Sequence, residues 1–308
     1  MSLGFIHSGV LVAITAHGLI GISLVWDKVL LRQPQTKNLL SYVFWLGAMS
    51  AFGPVLAFFG FHMPPLSTAA LAFGAGALQL VAVYSYYAAL QGGEASQTLA
   101  IMGGFSPVAT ILIGLALLPR QMAGGKLPGF ALMVAGGFVM FFSERLRLRR
   151  VIPHIALASG LFGLVNVMEK LVFNRVNFVS GYVFFTLGTF AGAMSLLVRR
   201  GWRRQIFENS GSAAPASRFW YMVNRFMSGL GSFLVYYAIS LENPALVDAI
   251  AAVRYAIIFL GAYLITKWLR EDFGGWALAG KTIATLLVAA GLVLLGLEGG
   301  GEGQGGPP

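Results

Sequence analysis

The chain has 308 residues, of which 57% are hydrophobic and 10% charged, and its mean hydropathy is +0.77. A soluble domain carries about 25% charge and a disordered chain is polar and highly charged, so this composition excludes both a soluble globular enzyme and a disordered protein. The net charge is +10 and cysteine is absent; disulfides, thiolate metal sites and a cysteine nucleophile are thereby excluded, and the cations fall in loops, as in membrane proteins, rather than marking a nucleic-acid surface.

Ten stretches approach the roughly 20 apolar residues that a membrane helix needs. They are 5–31, 38–61, 66–90, 94–118, 127–144, 152–173, 178–198, 218–241, 244–267 and 275–296. Their unbroken length favours helices over barrel strands, which alternate over about 10 residues. The first span lacks a basic leader and a cleavage site, so it reads as a retained helix rather than a signal peptide. It carries His17 at mid-span and ends on Asp27-Lys28. The imidazole is either a proton relay, given an ordinary pKa of about 6.5, or a satisfied packing group. Gln79 and Tyr86 lie seven apart on the third span, and Asn166 on the sixth; all three offer neutral hydrogen-bonding groups to a cavity. The sixth span closes on Glu169-Lys170. The connector Arg199–Ser217 is polar and basic, which places it outside the lipid. The string after Leu297, EGGGEGQGGPP, is a flexible tail.

The eighth span places Arg225, Ser228, Ser232 and Tyr236 at i, i+3, i+7 and i+11, one face of a helix. Such a stripe faces a wet cavity or a partner helix. Arg225 there is either a fork for a carboxylate or phosphate or a side chain snorkelling to the basic connector. On the ninth span Asp248 and Tyr255 share a face, while Arg254 falls roughly 240° away at the helical period. Arg254 is too deep to snorkel, so it is a candidate ligand group; the alternative is an internal Asp–Arg pair that only locks two helices.

The halves echo each other. Gly18, Gly21, Asp27 and Lys28 have the spacing of Gly160, Gly163, Glu169 and Lys170. Tyr42-Val43-Phe44 matches Tyr182-Val183-Phe184, Tyr86-Tyr87-Ala88 matches Tyr236-Tyr237-Ala238, and Thr98 falls opposite Asp248. The expected fold is therefore all-α and membrane-integral, with ten helices in two five-helix repeats, residues 1–145 and 146–297, before the tail 298–308. An odd number of spans per unit inverts the second copy, and inverted repeats support alternating access around a midplane site. Asp27, Lys28, Glu169 and Lys170 are then either interfacial anchors or gate residues on opposite faces.

The strings YYAALQGGEASQTLAIMGGFSPVATILIG and YYAISLENPALVDAIAAVRYAIIFLGAYL, with KWLREDFGGWALAGKTIATLLVAAGLVLLG, resemble the EamA-like branch of the drug/metabolite transporter superfamily. Arg120-Gln121 and His17-Gly18 depart from that pattern. The resemblance implies secondary transport of small metabolites through a central cavity lined by the first, third, fourth, sixth, eighth and ninth spans.

The expected function is thus secondary active transport of a small polar or amphipathic metabolite, with an amino acid or other carboxylate favoured by Arg225 and Arg254. The alternative is a lipid or lipid-phosphate translocator of the same fold. Partners are the small-molecule substrate, membrane lipid and protons; no cofactor, metal, nucleic acid or enzymatic activity is expected. Odd-numbered loops hold thirteen Lys and Arg against three in even-numbered ones. That bias puts both termini outside the cell membrane, whereas the family resemblance implies cytoplasmic termini.

Overall fold

The computed structural model describes residues 8–31, 38–92, 95–118, 127–143, 151–210 and 215–254, with scattered positions from 257 to 294. The described residues form helices and contain no strand. Among the described residues, five helices are long and apolar enough to cross a membrane: Gly9–Asp27, Leu39–Phe58, Leu66–Gln91, Ile152–Phe173 and Phe178–Ser195. Large apolar side chains crowd the outer surface, with Phe52, Phe58, Leu66 and Phe142 each more than 70% exposed. Such a coat is unaffordable in water and ordinary in lipid; the architecture is that of an α-helical membrane protein.

The helices are α1 (Ser8–Leu31), α2 (Leu39–Ala48), α3 (Leu66–Gly92), α4 (Ala95–Leu117), α5 (Leu127–Ser143), α6 (Ile152–Phe173), α7 (Phe178–Ser195), α8 (Arg200–Ser210), α9 (Pro215–Leu241) and α10 (Pro244–Ile250). Asparagine side chains cap three of them: Asn38 accepts from the Ser41 amide at 3.2 Å, Asn177 from Ser180 at 2.9 Å and Asn243 from Ala245 at 2.9 Å. Each satisfies a donor that the first turn leaves without a partner.

Two elements depart from or add to the sequence expectation. The second span is not one α-helix: after Ala48 it tightens into a 3₁₀ run, Met49–Phe58, containing Pro54. Proline has no amide hydrogen and its ring clashes with the preceding turn, so α geometry fails there. The basic connector, read from the sequence only as lying outside the lipid, contains a helix, α8. Ile206 on that helix is fully buried, Phe207 packs edge-on to Phe44 at 5.9 Å, and Arg204 pairs with Glu208 at 2.5 Å on the exposed face. One apolar residue per turn and a polar remainder make a helix that lies against the bundle.

Packing pairs the ends of the chain across its middle. α1 runs along α9, and α6 runs along α3; α3 also packs on α7, and α4 on α6 and α5. The α3–α7 crossing is close because glycine lines both sides. A β-carbon on Gly188 would sit 1.9 Å from the Phe73 carbonyl oxygen, and one on Gly76 would sit 1.9 Å from that of Phe185. Thr189 donates across the same crossing to the Gly76 carbonyl at 3.0 Å.

Candidate functional site

A cavity of about 710 Å³ lies between α3, α6 and α9, a size suited to a small ligand. Arg225, Ser228, Ser232 and Tyr236 of α9 all line it, as do Gln79 and Tyr86 of α3, Asn166 of α6, and Asp248 and Arg254. The Oε1 of Gln79 is buried without a hydrogen-bond partner among the described residues. A buried acceptor left open costs about 1–3 kcal/mol, so a ligand donor there would be rewarded. The mouth is apolar. It lies between the 3₁₀ run and α9, where Phe52, Val55, Phe226 and Leu230 are exposed cavity residues.

One end of the cavity is closed by a buried ionic clasp. Asp27 and Arg225 form a salt bridge, both almost wholly buried. Tyr42 also donates to Asp27, Tyr87 donates to its Oδ2 at 2.7 Å, and Asn224 donates to its Oδ1 at 2.5 Å. Arg225 reaches the Tyr87 hydroxyl at 3.1 Å, and its guanidinium lies over the Tyr42 ring at 4.9 Å and the Tyr221 ring at 5.5 Å. Four helices, α1, α2, α3 and α9, thus meet on one carboxylate. Arg225 does not snorkel to the connector, and its charge is balanced by Asp27 rather than held ready for an anion. Tyr42, Tyr87 and Asn224 are members that the sequence reading did not assign; the only sign of them was the repetition of the tyrosines and the adjacency of Asn224 to Arg225.

The second cluster holds four sequence-predicted residues, Asn166, Asp248, His17 and Arg254. Asp248 accepts from Asn166 Nδ2 at 2.8 Å and from Thr110, with Ser106 as a further partner. The Nε2 of His17 lies 2.8 Å from the Val247 carbonyl. A carbonyl only accepts, so Nε2 carries the hydrogen and Nδ1 offers its lone pair. Arg254 uses it, with Nε at 3.0 Å and Nη2 at 2.7 Å.

Arg254 also corrects the sequence geometry. At 3.6 residues per turn it would point away from Asp248, yet Asp248, Ala251 and Arg254 all line the cavity. After Ile250 the backbone closes i to i+3: Ala251 bonds the Asp248 carbonyl at 3.1 Å and Arg254 bonds the Ala251 carbonyl at 3.0 Å. With three residues per turn, positions three and six apart share a face.

The gate candidates are unequal. Asp27 is clasped, as above. Lys170 donates to the carbonyls of Ile239 and Ser240 at 2.9 and 3.1 Å, where it caps the C-terminal end of α9. Glu169 is fully buried, and neither carboxyl oxygen has a hydrogen-bond partner among the described residues. Tyr255, Lys281 and the side chain of Lys28 lie outside the described residues. Among the described residues no three His, Asp or Glu gather as a metal site would require; the chemistry on offer is ionic and hydrogen-bonding recognition.

The fold is similar to that of a protein of known crystal structure, with a TM-score of 0.60 at 15% identity over 93% of this chain and 96% of that one. Likeness at that identity is a likeness of fold. No protein-family model and no curated protein matches the chain.

Proposed function

We propose that this chain is a secondary transporter of a small amphipathic metabolite, an amino acid or other carboxylate, in a cell membrane, the bacterial inner membrane in particular. It works by alternating access between two inverted five-helix halves, residues 1–145 and 146–297, and belongs to the drug/metabolite transporter superfamily whose EamA-like branch it resembles. The observation that carries this reading is the cavity: a largely apolar wall set with a few polar groups, an apolar mouth, and a buried Gln79 oxygen with no donor among the described residues. The reciprocal packing of α1 on α9 and of α6 on α3 supports the duplication, since an inverted pair makes the same cross-contact twice. The preference for an anion rests on Arg254, because Arg225 is already neutralised. His17 holds the guanidinium in place beside Asp248, at the cavity wall.

A thermal-shift screen with amino acids, organic acids, nucleosides and sugars identifies the ligand, because stabilisation grows as RT ln(1 + [L]/Kd). Flux of that ligand into protein-only liposomes then tests the site. Arg254→Ala is expected to lower flux more than tenfold with unchanged elution and melting; normal flux in that variant removes Arg254 from the site.

The apolar rim of the mouth, Phe52, Val55, Phe226 and Leu230, favours a second reading, a translocator of a lipid or lipid phosphate. In the same liposomes, accelerated exchange of a fluorescent phospholipid between leaflets without flux of any soluble compound would replace the first reading by this one.

A further inference from the structure

Glu169 and Asp27 occupy matching positions in the two halves, but only one of them is neutralised. At Asp27 the partners come from α9, with Asn224 and Arg225 donating, and from Tyr87 on α3. The register that matches Tyr86-Tyr87 with Tyr236-Tyr237 places Gly74 opposite Asn224 and Ala75 opposite Arg225. The mate of Tyr87 is Tyr237, which is surface-exposed with its ring on Phe178 at 5.2 Å. These three donors are therefore missing or turned away at Glu169, and Tyr182, the mate of the fourth Asp27 donor Tyr42, lies near Glu169 without a hydrogen bond to it. A β-carbon on Gly74 would meet no atom within 4 Å, so nothing else fills the place of Asn224. The neighbouring Lys170 is committed to the end of α9.

Among the described residues, the titratable groups facing Glu169 are Tyr182 on α7 and Tyr236 on α9, within electrostatic reach and both neutral phenols at ordinary pH. α3 presents Gly74 and Ala75, α4 carries no ionisable residue, and α10 contributes Asp248, which has its own donors. An ionised carboxylate in such a place would have neither counter-ion nor hydrogen bond, and burial of that kind is prohibitive. A neutral acid is not so penalised.

We propose that Glu169 is a proton-binding site and carries the proton that couples transport. It is a carboxylic acid while α6, α7 and α9 are closed around it, and it releases its proton to water when that end opens. The net step is the breaking and re-forming of one O–H bond, with the proton passed to bulk water. The comparison of the two sites and the coupling role rest on the two-repeat transporter reading above; the protonation state rests on the surroundings of Glu169 alone.

Infrared spectroscopy of the purified full-length protein at neutral pH separates the two. The carboxylic-acid C=O band should lose one group's intensity in Glu169→Gln and shift in D2O, while Asp27→Asn should leave that band unchanged because Asp27 is paired with the Arg225 guanidinium. Titrating the wild-type band with pH gives the same information if the Gln variant does not fold. A Glu169→Gln spectrum that keeps the full acid band, or a wild-type band absent at neutral pH, overturns the proposal whatever the protein transports. For a ligand found by the screen, an imposed pH gradient should drive accumulation by up to about tenfold per pH unit in wild type, while Glu169→Gln exchanges ligand without responding to the gradient. A gradient response retained in Glu169→Gln overturns the coupling role even if the band is lost, and loss of ligand flux in wild type indicts the transporter reading instead.

Discussion

Asp27 receives four donors, Tyr42, Tyr87, Asn224 and Arg225, from three helices other than its own. A buried pair of this kind contributes little beyond well-packed apolar residues, but removing one member leaves a charge stranded. Arg225→Met is therefore expected to destabilise the protein by about 3–5 kcal/mol, and Asp27→Asn combined with Arg225→Met should recover most of that loss. Unfolding of the purified variants in graded denaturing detergent measures both. A double variant no better than the single one would mean that the pair is not what holds these helices. At this scale the sequence marked most of the polar residues, because an ion in an apolar span is conspicuous. It did not reveal their partners. Asp27 and Arg225 are 198 residues apart, and their pairing depends on which helices touch. Arg254 was legible as a residue but not in direction, since the helical wheel fails where the backbone turns every three residues.

The helices themselves were legible from length and hydropathy, and the boundaries of α6 and α7 fall close to the expected spans. The 3₁₀ run was hidden, although Gly53-Pro54 was its signal. So was α8, because one buried isoleucine among charges is a weak periodic cue. The glycines make a test proper to this scale. Gly76→Ala or Gly188→Ala forces α3 and α7 apart, and a cost of about 1–3 kcal/mol is expected. Gly160→Ala, on a helix with open space at that position, should be neutral or stabilising. Melting temperatures of the three variants decide the matter; equal values would show that the crossing is loose.

For the molecule as a whole, the two halves that the proposed duplication relates differ where copies should be alike. α7 covers α3 closely, whereas the mouth beside α9 is rimmed by exposed Phe52, Val55, Phe226 and Leu230. The sequence echo pointed to duplication, but not to this opening on one side. Because the chain has no cysteine, a nitroxide can be placed at Phe226→Cys without background. It is expected to collide readily with oxygen and poorly with a water-soluble nickel chelate, the signature of contact with lipid. The reverse ratio would mean that the mouth faces water, which would exclude entry of substrate from the bilayer.

The clasp on Asp27 also bears on how the chain is made. At about 5–20 residues per second, the 198 residues between the partners take about 10–40 s to synthesise. Throughout that interval the newborn first helix holds an acid whose counter-ion has not yet left the ribosome. The insertion machinery must shelter it, or let it stay at the aqueous edge, until α9 arrives. Nascent chains arrested before residue 225 should accordingly cling to that machinery and be degraded when released, whereas chains arrested soon after α9 emerges should be set free into the bilayer.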